Sequence, residues 1–593
     1  MQSRASKHLL AAGVLALVAS SLTPASAITG TTERISVSTA KRQAAAPTPA
    51  VSVPDTTSPQ ISLDGRWVVF SSDASNLVAS DTNAVADVFL RDLKKGTTTR
   101  VSAARGVQAN GASYSPAISV DGSLIAFVSR ASNLVPGDTN GAADVFVLDR
   151  RSKIVTLVSR APGGAPANGD SNTPFVSLFG DWITFESAAS NLASGDGNGM
   201  PDAFVFTRKT KKIERLAPAP LERSDASDYV TWTARPTISY DGMFVSYIRQ
   251  AAARDQLQTI TEELQSSDPF LRNRARGRSR MIDLPKWNGR FRALADHPAI
   301  SADGKRIVFE AHSVLDADAA MKLTDPTSAL EASDRTLGHD ELDTRDVWLY
   351  DRIANQILVV SRNAYGFAAN ADSWGPQISS QGHTVAFVSQ ASNLVPGDTN
   401  GAADVFVYDS RERALSRVSV SSDAAPANGA SDRIAMSYDG RHLVYGSAAS
   451  NLITGDSNAV SDVFHHDRRI DAVNNRPVLD SIGKNVRSVL VGEEHVVRLQ
   501  AQDADGDPLR FGILVAVPPK PVDASDPAVD VARTYSLDPM TGTFRWRPTP
   551  NQDGPWTFAF WVADQRGGDA YVIAQFVVRN PLGASLCPIR GDC

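Results

Sequence analysis

Cysteine is almost missing from this chain, with two in 593 residues, Cys587 and Cys593, both among the last seven. A fold of this size must then be held by packing rather than by disulfides, and in an oxidising compartment the pair is expected to close a small terminal loop. Long apolar runs are equally scarce. The longest, Leu9 to Leu22, falls short of the ~20 residues that a membrane-crossing helix needs. A basic excess is absent too: 59 Lys and Arg stand against 65 Asp and Glu, a net charge of −6, which gives no ground for expecting a nucleic-acid partner. No G-x-S-x-G elbow, H-E-x-x-H, P-loop or non-terminal cysteine nucleophile is present, and the expectation is that the chain is not an enzyme.

The first segment reads as an address rather than as fold. Arg4, Lys7 and His8 precede the apolar run, and Ala25-Ser26-Ala27 follows it, the order of a secretory signal peptide over residues 1–27. Ile28 stands where a lipidated anchor would need cysteine. The mature protein is expected in a periplasm or outside the cell.

What is abundant is repetition. Ser58-Pro-Gln-Ile-Ser-Leu-Asp-Gly-Arg-Trp-Val-Val-Phe70 returns as Ser115-Pro-Ala-Ile-Ser-Val-Asp-Gly-Ser-Leu-Ile-Ala-Phe127, then at Pro174, Pro236, Pro298 and Pro376, and in weaker form at Ile434. The seven starts lie roughly 60 residues apart, with one gap of 78. Asp-Gly between apolar runs marks a hairpin, and each repeat reads as four short strands. Many such units without helical periodicity point to propeller blades, which leave only short, protected edges. The seventh repeat lacks its outer strand, and an orphan copy, Glu33-Arg-Ile-Ser36, lies near the start of the chain. Residues 33–38 are therefore expected to close blade seven.

The phrase P-x-I-S-x-D-G-x-x-V-x-F resembles the repeat of TolB-like β-propellers and covers residues 30 to about 470; the longer phrase at 132–147 and 392–407 resembles exported bacterial propeller proteins. The resemblance implies a ring that binds a protein or other ligand, and implies no enzyme. Repeat three departs from it with Phe179-Gly180, and repeat four lacks the Asp-x-Asn loop. Two stretches read as insertions: residues 250–290, with helical periodicity over Asp255–Gln265 followed by Arg272, Arg274, Arg276, Arg278 and Arg280, and the acidic 312–342. The arginines could hold an anionic partner or form a solvated loop.

From 471 to 582 the pattern changes to alternating strands and turns, with a strand over Val491–Gln502. About 100 such residues suggest an immunoglobulin-like sandwich, and the phrases resemble the cadherin-like or immunoglobulin-like domains of bacterial surface proteins. A tail, 583–593, carries the cysteines around Arg590-Gly-Asp592, a chance tripeptide or an integrin-type one. The fold class is thus all-β: a seven-bladed propeller over 28–470, then a small immunoglobulin-like sandwich.

The main chemical candidate is Asp-x-Asn-x-x-x-Asp, present as Asp81/Asn83/Asp87, Asp138/Asn140/Asp144, Asp196/Asn198/Asp202, Asp398/Asn400/Asp404 and Asp456/Asn458/Asp462. Alternating oxygen donors in a turn suit calcium, though no distal glutamate follows; the same residues make Asx-turns without metal. Asp503, Asp505 and Asp507, with Glu494 and Asp564, form a second candidate calcium loop. His465-His466 lies on an expected strand, one side chain facing out. The functional expectation is an exported, non-catalytic binding protein that offers a propeller face to a protein or glycan partner. Calcium-dependent adhesion through the C-terminal domain, or a hydrolase with its site in the propeller loops, are the alternatives.

Overall fold

The computed structural model describes residues 30–45, 59–216, 229–254, 260–282, 291–315, 344–364, 366–411, 414–468, 478–480, 487–504, 509–517, 534–563 and 569–580. The expected signal peptide, Asp505, Asp507, Asp564, Cys587, Cys593 and residues 316–343 of the acidic stretch lie outside them.

The first repeat shows how the sequence builds each unit. Gln60–Ile61, Trp67–Ser72, Asp87–Asp92 and Thr97–Arg100 form one antiparallel four-stranded sheet in chain order. Between the first two strands, Gly65 adopts φ +67, as the Asp-Gly turn requires. In the next two strands Phe70 and Phe89 stack at 5.8 Å, both buried. The same pair recurs at Phe127–Phe146, Phe185–Phe204, Tyr247–Phe270, Phe387–Phe406 and Tyr445–Phe464. An aromatic at this place buries ~150–250 Å² and fixes the two central strands of each sheet.

Repeats two, three and six form four-stranded sheets of the same order, while repeats four and five share one eight-stranded sheet joined through the parallel pair Ser267–Leu294. Here the sequence reading needs correction. The described residues of 250–290 are not an insertion: Phe244–Arg254, Ile260–Asn273 and Arg278–Met281 are the second, third and outer strands of repeat four. The helical spacing over 255–265 gives way to strand from Ile260, because pairing with Phe244–Arg254 outweighs local periodicity. Arg272 and Arg274 are engaged by Glu214 of repeat three, at 3.5 and 2.8 Å, rather than solvated in a loop.

Neighbouring repeats meet at the turn glycines. A Cβ on Gly122 would strike Trp67 of repeat one. Gly180, Gly242, Gly304, Gly382 and Gly440 stand likewise against Leu124, Trp182, Phe244, Arg306 and Thr384 of the repeat before each, and Gly65 of repeat one stands against His442 of repeat seven. One narrow cavity of about 60 Å³ is lined by residues of every repeat, among them Ile61, Ile118, Val176, Ile238, Ile300, Ile378 and Met436.

The last sheet is made from both ends of this region. Thr31–Arg34 pairs antiparallel with Asp462–Asp467, Thr31 opposite Asp467 and Arg34 opposite Phe464, and the Ile35 amide donates to the Val463 carbonyl at 2.7 Å. The pairing thus runs over 31–35 rather than 33–38. His465 and His466 are both buried, so neither faces out.

Beyond residue 477, Arg487–Leu490, Asp569–Arg579, Gly554–Ala563 and Arg510–Val517 form one sheet, and His495–Arg498, Thr543–Trp546 and Tyr535–Leu537 a second. The single strand expected over 491–502 is broken into His495–Arg498 and Ala501–Gln502, which pair with different partners. Phe544 of the second sheet packs on Phe558 and Phe560 of the first at 4.9 and 5.0 Å, so the two sheets enclose one aromatic core.

Candidate functional site

The acidic motif closes the end of each sheet. Asn83 accepts the Val85 amide with its carbonyl oxygen and donates its amide to Asp87 and to the Ala109 carbonyl, at 3.3 and 3.0 Å. Asn140, Asn198, Asn400 and Asn458 do the same in their repeats. The final aspartate is buried and takes a hydroxyl: Ser102 donates to Asp87, Ser159 to Asp144, Ser419 to Asp404 and Ser36 to Asp462, each at 2.5 Å. These are Asx-turns that tie the third strand to its neighbours.

Four of the five copies carry their own cation. Arg100 lies 3.7 and 3.5 Å from Asp81 and Asp87; Arg215 lies 3.2 and 2.5 Å from Asp196 and Asp202. Arg417 lies 3.2 and 3.4 Å from Asp398 and Asp404, and Arg34 3.2 and 3.4 Å from Asp456 and Asp462. Each arginine sits opposite the stacked phenylalanine of the third strand: Phe89, Phe204, Phe406 and Phe464. In repeat two that place belongs to Leu157, opposite Phe146. Burial pushes the Asp144 carboxyl up to about 6, with Asp138 adding to the rise. In repeat four the equivalent aspartate, Asp268, is held instead by Arg249 at 2.6 Å.

The sign of the effect at Asp144 follows from linkage. A carboxyl raised in the folded state binds its proton more tightly there than in the unfolded chain. Its stabilisation is whole below the ordinary value near 4 and is lost as the pH climbs towards 6, about 2–3 kcal/mol in all. The Leu157→Arg chain is expected to lose most of this dependence. Denaturant unfolding at pH 5 and pH 7.5 checks it: equal losses in both chains would mean that Asp144 is not the group concerned.

At the C-terminal candidate loop, Glu494 is exposed and pairs with Arg545 at 3.2 Å. Asp503 is half-buried.

Among the described residues one trio of metal-type side chains lies within 4.8 Å of one another, and the sequence reading did not pick it: Asp296, His297 and Glu310. It arises at a bulge. The inner strands shift register just before their conserved-phrase proline, placing Ser115, Thr173, Arg235, His297 and Gly375 at φ +46 to +61, with Arg433 at φ +50 in repeat seven. These positions, here called the collar, lie on the strands that line the cavity, two or three residues before the lining residues. In repeat five the collar residue is His297, with its Nδ1 buried 3.3 Å from Glu310 Oε1 and 3.6 Å from Asp296 Oδ2. Its side chain is 42% exposed.

Glu310 is buried and fully engaged. The Gly375 amide donates to it at 2.6 Å and Arg345 at 3.1 Å. Burial alone would raise its pKa, but His297, the Gly375 amide and Arg345 together hold it below the ordinary glutamate range. Arg235 lies 3.4 Å from Asp296, and its own amide donates to Glu186, the counterpart of Glu310 two repeats earlier. With Arg235 and Arg345 on its carboxylates, the trio is already neutralised, and a histidine–carboxylate pair describes it better than a metal cage. The sequence did hold a signal: Asp296-His297-Pro298 and Glu310 stand where repeat two has Pro116 preceded by Ser115, and Val128.

No protein-family model matches the chain, and no curated protein does. Solved structures do. A putative TolB from Agrobacterium tumefaciens is 14% identical over 55% of this chain and 86% of its own, with a TM-score of 0.31. A prolyl endopeptidase is 14% identical over 72% of this chain and 52% of its own, TM-score 0.40. Porphyromonas gingivalis dipeptidyl peptidase 4 is 12% identical over 66% and 56%, TM-score 0.34. The chain spans about half the length of these two peptidases.

Its structural neighbours are β-propeller proteins. This corrects the expectation of a non-enzyme: peptidases stand among the structures that it is similar to, and missing sequence motifs do not exclude a site assembled from separate strands. Among the described residues no helix is long and apolar enough to cross a membrane.

Proposed function

We propose that the chain is an exported hydrolase built on a seven-bladed propeller, with its site at His297 on the collar of the central cavity and an immunoglobulin-like sandwich following the ring. The observation that carries this reading is the His297–Glu310 pair. A buried carboxylate facing Nδ1 keeps the proton on that nitrogen and leaves Nε2 as a base, the logic by which an oriented imidazole activates water or a hydroxyl. Arg235 and Arg345 flank the pair and would steady an oxyanion. The cavity itself is too narrow for a ligand that needs roughly 300–1,000 Å³, which puts the substrate on the collar. The hydrolase reading takes the place of a purely binding one.

A cation such as calcium belongs in this reading at one place in the ring, the Asp138–Asp144 pair, where it would stand in for the missing guanidinium. The basic, apolar and small-residue order of residues 1–27 supports export.

The test is turnover of peptide and ester libraries by the purified mature chain. His297→Ala is expected to lower the rate about 10²–10⁴-fold while leaving the melting temperature within a few degrees. No turnover above the buffer rate, or turnover that survives His297→Ala, would remove the hydrolase reading and leave the collar as a surface for a protein or glycan partner.

A further inference from the structure

The strand that completes the last sheet is fastened by histidine. His465 Nδ1 lies 3.0 Å from Glu33 Oε1 on the N-terminal strand, and its Nε2 lies 3.0 Å from His442 Nδ1 on the neighbouring strand, the two rings stacked at 5.1 Å. On the same pair of strands His466 Nδ1 lies 2.8 Å from Thr32 Oγ1. The Thr32 hydroxyl spends its one proton on the Val420 carbonyl at 2.6 Å, so it accepts from His466, whose Nδ1 carries the proton. His466 Nε2 is buried without a hydrogen-bond partner, against the backbone at Gly30. Neutral rings suit this arrangement. A proton added at His466 Nε2 would create a buried donor with nothing to receive it, and one added to the His442–His465 pair would place charge where two rings share a single hydrogen bond.

We propose that the closure between residues 31–35 and 463–467 is an acid-labile latch, fastened by the neutral imidazoles of His442 and His466 and loosened when they are protonated. The surrounding charges do not rescue the protonated forms. Glu33 already faces His465, and Asp467, 3.8 Å from His442 Nδ1, is taken by Arg441 at 2.5 and 2.8 Å. Asp439 accepts the Ser437 hydroxyl and the Arg441 amide. Arg468 faces His466, Arg91 of repeat one faces Glu33, and the Asp64-Gly65 turn of repeat one packs on His442. Burial holds His466 down to about 4 and His442 well below the ordinary histidine range. Both rings therefore protonate more readily with the closure open than with it latched. The stabilisation they give is whole above the ordinary value near 6.5 and is lost as the pH falls from there towards 4.

Hydrogen exchange of the full chain, corrected for intrinsic rates, reads the latch directly. Between pH 7.5 and pH 5, opening of residues 30–37 is expected to rise about tenfold more than that of the outer strands Thr97–Arg100, Ile154–Leu157 and Ala414–Arg417, which carry no such cluster. His466→Asn keeps an amide donor for Thr32 but cannot ionise; combined with His442→Phe it is expected to bring 30–37 back to within about threefold of those strands. Equal pH response of 30–37 and the comparison strands in the natural chain overturns the latch, whether or not the double variant folds. So does an undiminished response in the folded double variant. The outcome is independent of whether His297 supports turnover.

Discussion

Replacing Arg417 by methionine is expected to cost about 3–5 kcal/mol, the range for removing one partner of a buried ion pair. The side chain is 7% exposed and its partners are more deeply buried, Asp398 at 4% and Asp404 at 0%. Burial already raises the carboxyls of both aspartates, so without the guanidinium they would take up protons rather than stay charged. The loss should accordingly be largest near pH 8 and shrink below about pH 5, where protonated carboxyls need no cation. Guanidinium unfolding across that range measures it. A loss of under 1 kcal/mol at pH 8 would show that the motif is held by its Asx-turns alone.

Truncating Phe544 to alanine should unfold the two C-terminal sheets by themselves. Its ring is fully buried and contacts Tyr535, Phe558, Phe560 and Phe576. A Phe→Ala change at such a site removes about 3–5 kcal/mol, a large part of the ~5–15 kcal/mol that stabilises a domain of this size. Calorimetry should show a low-temperature transition shifted down by roughly 15 °C or more, with a second transition, that of the repeat region, in place. If both transitions move together, the two parts are one cooperative unit.

The repeat was readable because its signals are local. Asp-Gly turns need positive φ, and all seven turn glycines adopt it at +65 to +78, including Gly180 where the preceding aspartate is missing. Repeat four was misread because it lacks the Asp-x-Asn phrase, and its alternating arginines look like a solvated loop until Glu214 of the neighbouring repeat is seen beside them. The acidic motif was visible, but its cation was not: Arg100, Arg215 and Arg417 lie some 13 residues beyond the last aspartate of their motif, while Arg34 lies hundreds of residues away from Asp462. Only strand register shows that all four occupy one place. The collar trio was hidden for a related reason. A bulge before Pro298 turns His297 back towards Glu310, and no spacing rule anticipates a bulge.

The pairing of Thr31–Arg34 with Asp462–Asp467 also sets the order of assembly. Glu33 and His465 are 432 positions apart, so the first strand to be made is the last to find its place. Until the seventh repeat is complete, the flank of Asp462–Asp467 is a bare template that any extended segment could occupy, a second copy's Thr31–Arg34 included. Contacts of such separation are slow to form, and a crowded chain could trade this strand between molecules. Concentration during refolding, rather than temperature, should then decide between single chains and strand-exchanged pairs.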